Sequence, residues 1–194
     1  MKTIVKASSE PLSWYFLPDS ALVNSGKPFF LPELSDEFEA VLVAVVRINR
    51  IGKSIGARFA ERYYSEVAPG VHFVAPGLRR RLLEAGLSPD PSYSFDRSLT
   101  VGSFLPAESF LDGVPAVMTL TSAANGDGET SEVFIGTDKL KGEIGPMLEA
   151  VSGSNTIKMG DYLIPVLTSP LKIAIGDTLT VSKGTDTLLT IHIK

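Results

Sequence analysis

EFEAVLVAVVRINRIGKSI, residues 37–55, decides how this chain folds. It opens acidic, runs apolar from Ala40 to Val46, and closes basic. Valine suits a pleated, packed surface, so residues 40–51 read as a strand. The apolar run is nearly continuous rather than alternating, so both faces of that strand are expected to be buried. Further strands are expected at residues 116–123, 162–167, 178–182 and 188–192. Between the last two, Lys183-Gly184-Thr185-Asp186 reads as the turn of a terminal hairpin.

Three helices are expected. Over residues 57–67, Phe59, Tyr63 and Val67 recur at helical spacing on one face. Residues 78–85 follow Pro76-Gly77, with Leu78, Leu82 and Ala85 turned inward and Arg79, Arg80 and Arg81 mostly solvated. Residues 140–151 place Leu140, Ile144, Leu148 and Val151 on one stripe, with Thr137 or Asp138 as N-cap. Gly145-Pro146 inside that stretch predicts a kink or a break. The fold class is mainly β with short helices, an α+β chain, as a rolled or sandwiched sheet.

Composition narrows the function classes. A chain of 194 residues, 44% of them hydrophobic, buries roughly 70% of its unfolded surface in one domain over residues 1–194. The net charge of −4 argues against nucleic acid, which needs a basic face. The absence of cysteine excludes disulfides, thiolate metal sites and cysteine nucleophiles. The first residues lack a signal-peptide core, and no stretch approaches the ~20 apolar residues of a membrane span. A soluble cytoplasmic protein with no membrane contact is expected.

The sequence carries two histidines, His72 and His192. His192 belongs to the alternating run TLLTIHIK and reads as an ordinary strand residue. His72 sits in PGVHFVAPG, a short apolar run between turn residues, and reads as a satisfied or half-buried histidine. No Ser-His-Asp order and no paired metal spacing emerges. Gly126-Asp127-Gly128-Glu129 lacks the alternating ligands of a calcium loop and reads as a polar hairpin turn. Gly52-Lys53-Ser54 lacks the upstream glycine of a phosphate-binding loop. The Arg79–Arg81 run reads as a solvated helix face rather than an anion site.

Several segments, in order, resemble the fumarylacetoacetate hydrolase family. They are residues 16–55, 59–87, 94–110 and 172–181, and RINRIGKSI followed by RYYSEV is the most specific of them. The resemblance implies a mixed β-sandwich roll, a homodimer, and one divalent cation such as Mg or Mn held by oxygen ligands. Enzymes of the family cleave or isomerise 1,3-diketo acids, or decarboxylate related acids. Relative to the family, residues 1–14 are a truncated N-terminal segment.

The site positions depart from that pattern. The family's Glu-Xaa-Glu ahead of Arg-Ile-Asn-Arg falls on Val41 and Val43. Its third ligand, an aspartate, falls on His72. The substrate-binding arginine falls on Pro76, the next aspartate on Gly77, and a glutamine on Arg79. The catalytic lysine before Phe95-Asp96 falls on Tyr93, and the lysine of the Lys-Pro-Asp segment on Leu17. The Gly-Thr-Pro-Xaa-Gly loop reads LTSPLK. Valine ligates nothing, and a lone imidazole does not make a hard-cation site. No cofactor is therefore expected.

Two readings stay open. One is a catalytically degenerate member acting as a structural, interaction or regulatory protein. The other is a binder or enzyme for a small keto acid with a rebuilt pocket. There His72 would serve as general base, Tyr93 as hydrogen-bond donor and Arg79 as carboxylate clamp, with Glu39 or Asp96 nearby.

Overall fold

The computed structural model describes residues 1–24, 26–123 and 129–194. The chain begins with a hairpin, β1 (Thr3–Ser9) and β2 (Leu12–Leu17), followed by the short β3 (Leu22–Asn24). Two long strands come next, β4 (Phe38–Ile48) and β5 (Tyr64–Val74). Helix α1 (Pro76–Glu84) leaves β5, and β6 (Leu99–Val101) and β7 (Leu105–Pro106) return against it. After α2 (Ala107–Phe110) come β8 (Ala116–Thr121), β9 (Thr130–Ile135) and the long helix α3 (Thr137–Ser154). Strands β10 (Tyr162–Ile164) and β11 (Leu171–Ile173) precede the hairpin β12 (Thr178–Lys183) and β13 (Asp186–His192).

Among the described residues the strands form two sheets. The larger runs β2-β1-β10-β4-β5-β6-β3, with β11 beside β4 and β7 beside β5. The smaller runs β13-β12-β8-β9. As the apolar run predicts, β4 is buried on both faces. Ala40, Leu42, Ala44 and Val46 join α3 and the smaller sheet in one core. Val41, Val43 and Val45 join Val5, Leu17, Ala68 and Ile164 in a second cluster on the other face. This is the mainly β roll the sequence predicts. No helix among the described residues is long and apolar enough to cross a membrane.

Several boundaries differ from the sequence reading. The central strand starts at Phe38 and ends at Ile48 rather than running to residue 51. Residues 57–67 are not an α-helix. A 3-10 turn covers Ala57–Arg62, and Val67 lies inside β5. The β-branched Val67, Val71 and Val74 gain a full-length partner in β4, which outweighs a weak helical spacing. Pro69 is tolerated inside this strand. Its carbonyl accepts from Gly102 N, so its missing N–H points away from β4, where the neighbour changes from β6 to β7.

Helix α1 half-buries Leu78 and Leu82 but leaves Ala85 exposed. Helix α3 buries Leu140, Ile144, Leu148 and Val151, but its N-cap is Gly136 and it runs unbroken through Pro146. A proline inside a helix costs about 3 kcal/mol, and four buried side chains offset that. The hairpin turn at Gly184-Thr185 forms as expected, with Gly184 at φ 60°. The Gly126–Glu129 turn lies largely outside the described residues.

Leu148 is fully buried in the core shared by both sheets, whereas Phe134 on β9 is 68% exposed. Leu148→Ala is expected to lower unfolding stability by about 2–5 kcal/mol, and Phe134→Ser by less than about 0.5 kcal/mol, in urea titrations.

Candidate functional site

The β4–β5 register sets the site. It pairs Glu39 with Val74, Val41 with His72, and Val43 with Gly70. Residues two apart share a strand face, so Glu39, Val41, Val43 and His72 look to the same side. Val43 is wholly buried, and a β-carbon on Gly70 would come within 3.1 Å of its methyl group. The sheet is sealed there. Toward Glu39 it opens.

His72 is fully buried, and its Nδ1 lies 2.8 Å from the Ser98 carbonyl oxygen. A carbonyl only accepts, so Nδ1 carries the proton and Nε2 is left as an acceptor. The phenol of Tyr15, on β2, donates to that Nε2 at 2.9 Å. Burial pushes the imidazole down to about 4, against a smaller opposing pull from the Ser98 carbonyl. It is neutral at neutral pH.

Tyr93 follows a 3-10 turn at Asp90–Ser92, and its ring lies 4.1 Å from that of Tyr15. Its hydroxyl donates to Asp90 Oδ1 at 2.6 Å. Burial raises the phenol of Tyr15, with Tyr93 adding to the effect. Burial and the Asp90 carboxylate raise that of Tyr93, and Arg79 pulls both the other way. The Tyr93 proton is thus turned toward Asp90 and away from any ligand.

These groups border a cavity of about 370 Å³, together with Val41, Glu39 and Arg79. The sequence-predicted His72, Tyr93 and Arg79 therefore meet, and Pro76 joins them. Asp96 does not border the cavity, and Phe95 beside it meets Phe29 at a tilt and Phe38 edge-on instead. His192 lies on the exposed side of β13 beside Thr178 Oγ1. Arg80 and Arg81 turn to Glu37 and the Leu34 carbonyl, leaving Arg79 at the cavity wall. Sequence reasoning missed Tyr15, Ser92 and Thr168. The run LSWYFL carried a strand signal for Tyr15. Nothing local marked Thr168, which reaches the cavity from the LTSPLK segment. A neighbouring cavity of about 300 Å³ meets this one at Ala7 and Leu167, but Lys6 there is already paired with Glu143.

The residues present do not fit the family's divalent cation. Val41 and Val43 offer no ligand atom on the strand face they share with His72, and both ring nitrogens of His72 are engaged by Ser98 and Tyr15. Among the described residues no cluster of three or more His, Asp or Glu converges to hold a metal ion.

The chain has the fold of the fumarylacetoacetate hydrolase family, since solved structures of that family match it over its whole length. It superposes on an Escherichia coli protein provisionally described as an isomerase with TM-score 0.82, at 20% identity over 100% of this chain and 91% of the other. A Yersinia pestis protein provisionally assigned to the family gives 0.81, at 20% identity over 100% and 92%. A Pseudomonas aeruginosa fumarylpyruvate hydrolase, solved with Mn2+ and pyruvate, gives 0.76, at 18% identity over 100% and 89%. No protein-family model matches the sequence, and no curated protein matches it.

The buried imidazole makes stability pH-dependent. Its folded value of about 4 lies below the ordinary 6.5, so between these the unfolded chain holds a proton that the folded chain refuses. Stability contributed by neutral His72 is full above about pH 6.5 and falls as pH drops toward 4, by up to about 1.4 kcal/mol per pH unit. Urea titrations from pH 7.5 to 4.5 are expected to show this slope, and His72→Gln to flatten it.

Proposed function

We propose that this one-domain protein binds a small organic acid without a divalent cation, and that it has given up the metal-dependent chemistry of its fold. The open cavity is the observation that carries this reading. A chain retained only as a structural or interaction partner has no use for an open cavity above its central strands. This one keeps about 370 Å³ there, with an arginine on its wall. Arg79 forms no ion pair among the described residues, so its fork of donors is available to a carboxylate. The catalytic machinery is another matter. His72 already accepts a proton from Tyr15, and Tyr93 already donates to Asp90. Neither is left as a free base or acid for C–C bond cleavage. The pocket recognises and does not react. The family resemblance also carries a homodimer into this reading.

The Pseudomonas relative holds pyruvate beside Mn2+, which makes pyruvate and oxaloacetate fitting probes. Calorimetry on the whole chain is expected to show binding that EDTA leaves unchanged, and that Arg79→Met weakens at least about tenfold, or 1.4 kcal/mol. Mg2+ and Mn2+ alone are expected to give no heat at micromolar concentration, and acylpyruvates no turnover. Acid binding that requires Mn2+, or a micromolar metal site, overturns the reading.

A further inference from the structure

We propose that the acid held in this cavity is a zwitterion: it also carries an ammonium group, which Glu39 and the tyrosine oxygens receive while Arg79 takes the carboxylate. This rests on the acid-binding reading above and specifies its ligand class.

Each hydroxyl bordering the cavity spends its proton on the protein. Tyr15 donates to His72 Nε2, and Tyr93 donates to Asp90. Ser92 Oγ donates to the Pro89 carbonyl at 2.6 Å. Thr168 Oγ1 accepts from Leu42 N at 3.1 Å and donates to the Ser169 carbonyl at 3.2 Å. The imidazole proton goes to Ser98. What these groups leave for a ligand is lone pairs. Tyr15 Oη and Tyr93 Oη, on two residues that border the cavity, are thus left as acceptors. Among its described side chains, only Arg79 remains a free donor.

Charge points the same way. Glu39 borders the cavity and has no hydrogen-bond or ion-pair partner among the described residues. Lys172 stands opposite it in the β4–β11 ladder, yet forms no ion pair with it. Asp90, bound to the Tyr93 hydroxyl, adds a second negative charge behind that tyrosine. A plain carboxylate satisfies Arg79 but offers no proton to the two phenol oxygens and is repelled by Glu39. An ammonium group supplies donors to all of them. The tilted rings of Tyr15 and Tyr93 add π faces that attract a cation. A group that cannot reach a donor in this cavity loses its water for nothing, which makes the proton pattern a source of specificity.

The test is calorimetry on the whole chain with matched pairs of probes: alanine with pyruvate, glutamate with 2-oxoglutarate, and phenylalanine with phenylpyruvate. In at least one pair the amino acid is expected to bind at least tenfold tighter. Glu39→Gln is expected to abolish that preference, weakening the amino acid and tightening the keto acid, with an unchanged circular dichroism spectrum. Keto acids that match or beat their amino partners in every pair overturn the zwitterion and leave acid binding standing. An amino-acid preference that survives Glu39→Gln also overturns it. If neither member of any pair binds, the acid-binding reading falls and this inference falls with it.

Discussion

The antiparallel pairing of β4 with β5 is the constraint on which the rest of the structure depends. Its register runs from Glu39 opposite Val74 to Ile48 opposite Tyr64, with one irregularity near Arg47. A slip of one residue would turn every side chain of β4 to the opposite face. The small Ala40 and Ala44, with Leu42, would leave the large core beneath α3, and bulky valines would replace them. Val41 would lose His72, and Gly70 would no longer lie under Val43, whose methyl group fills the space a β-carbon would need. One register thus fixes both cores and the floor of the cavity. Its other neighbours extend that control. β10 and β11 each pair with β4 at different ends, which ties the segment carrying Thr168 to the same frame.

The valines at 41 and 43 make physical sense in that frame. Two carboxylates on adjacent same-face positions of a buried strand repel each other and lose hydration, and only a cation repays the cost. Valines there contribute roughly 1.5–3 kcal/mol each when fully buried. Val43 reaches zero exposure and Val41 stays at 7%, at the edge of the cavity. His72 follows the same economy. It is kept neutral, with both nitrogens satisfied, so no charge is buried beside the valines. The apolar floor and the neutral histidine form one consistent solution to a strand that runs through the core.

The legible parts of this fold were those where a local pattern and its tertiary role agree. Residues 40–46 are apolar without alternation because β4 is covered on both faces, and Leu140, Ile144, Leu148 and Val151 repeat because α3 lies on the core. β5 was illegible because Phe59, Tyr63 and Val67 satisfy a helical spacing, while their true environment comes from β4, which local pattern cannot see. Pro69-Gly70 reads as a turn in isolation. In the sheet the proline faces a gap between strands, and the glycine makes room for Val43 and Val45. In the site, His72, Tyr93 and Arg79 were found through family positions. Tyr15 came from a hairpin most of which, residues 1–14, was read only as a truncated segment, and Thr168 came from a loop with no signature.

What no reading of residue types delivers is the direction of the protons. Tyrosine, serine and threonine each donate or accept, so a list of them leaves the recognised ligand undefined. The fold removes that freedom. Ser98 presents a carbonyl to Nδ1, which fixes the tautomer, which makes Nε2 an acceptor, which in turn commits the Tyr15 proton. A single backbone carbonyl, placed where β6 begins beside β5, therefore sets the polarity of the cavity floor two groups away. Asp90 does the same for Tyr93 from the loop after α1. Recognition in this pocket is written less in its side-chain inventory than in which protein atoms have already claimed the hydrogens. A cavity with valine on its floor can in this way still discriminate among small ligands by the donors they carry.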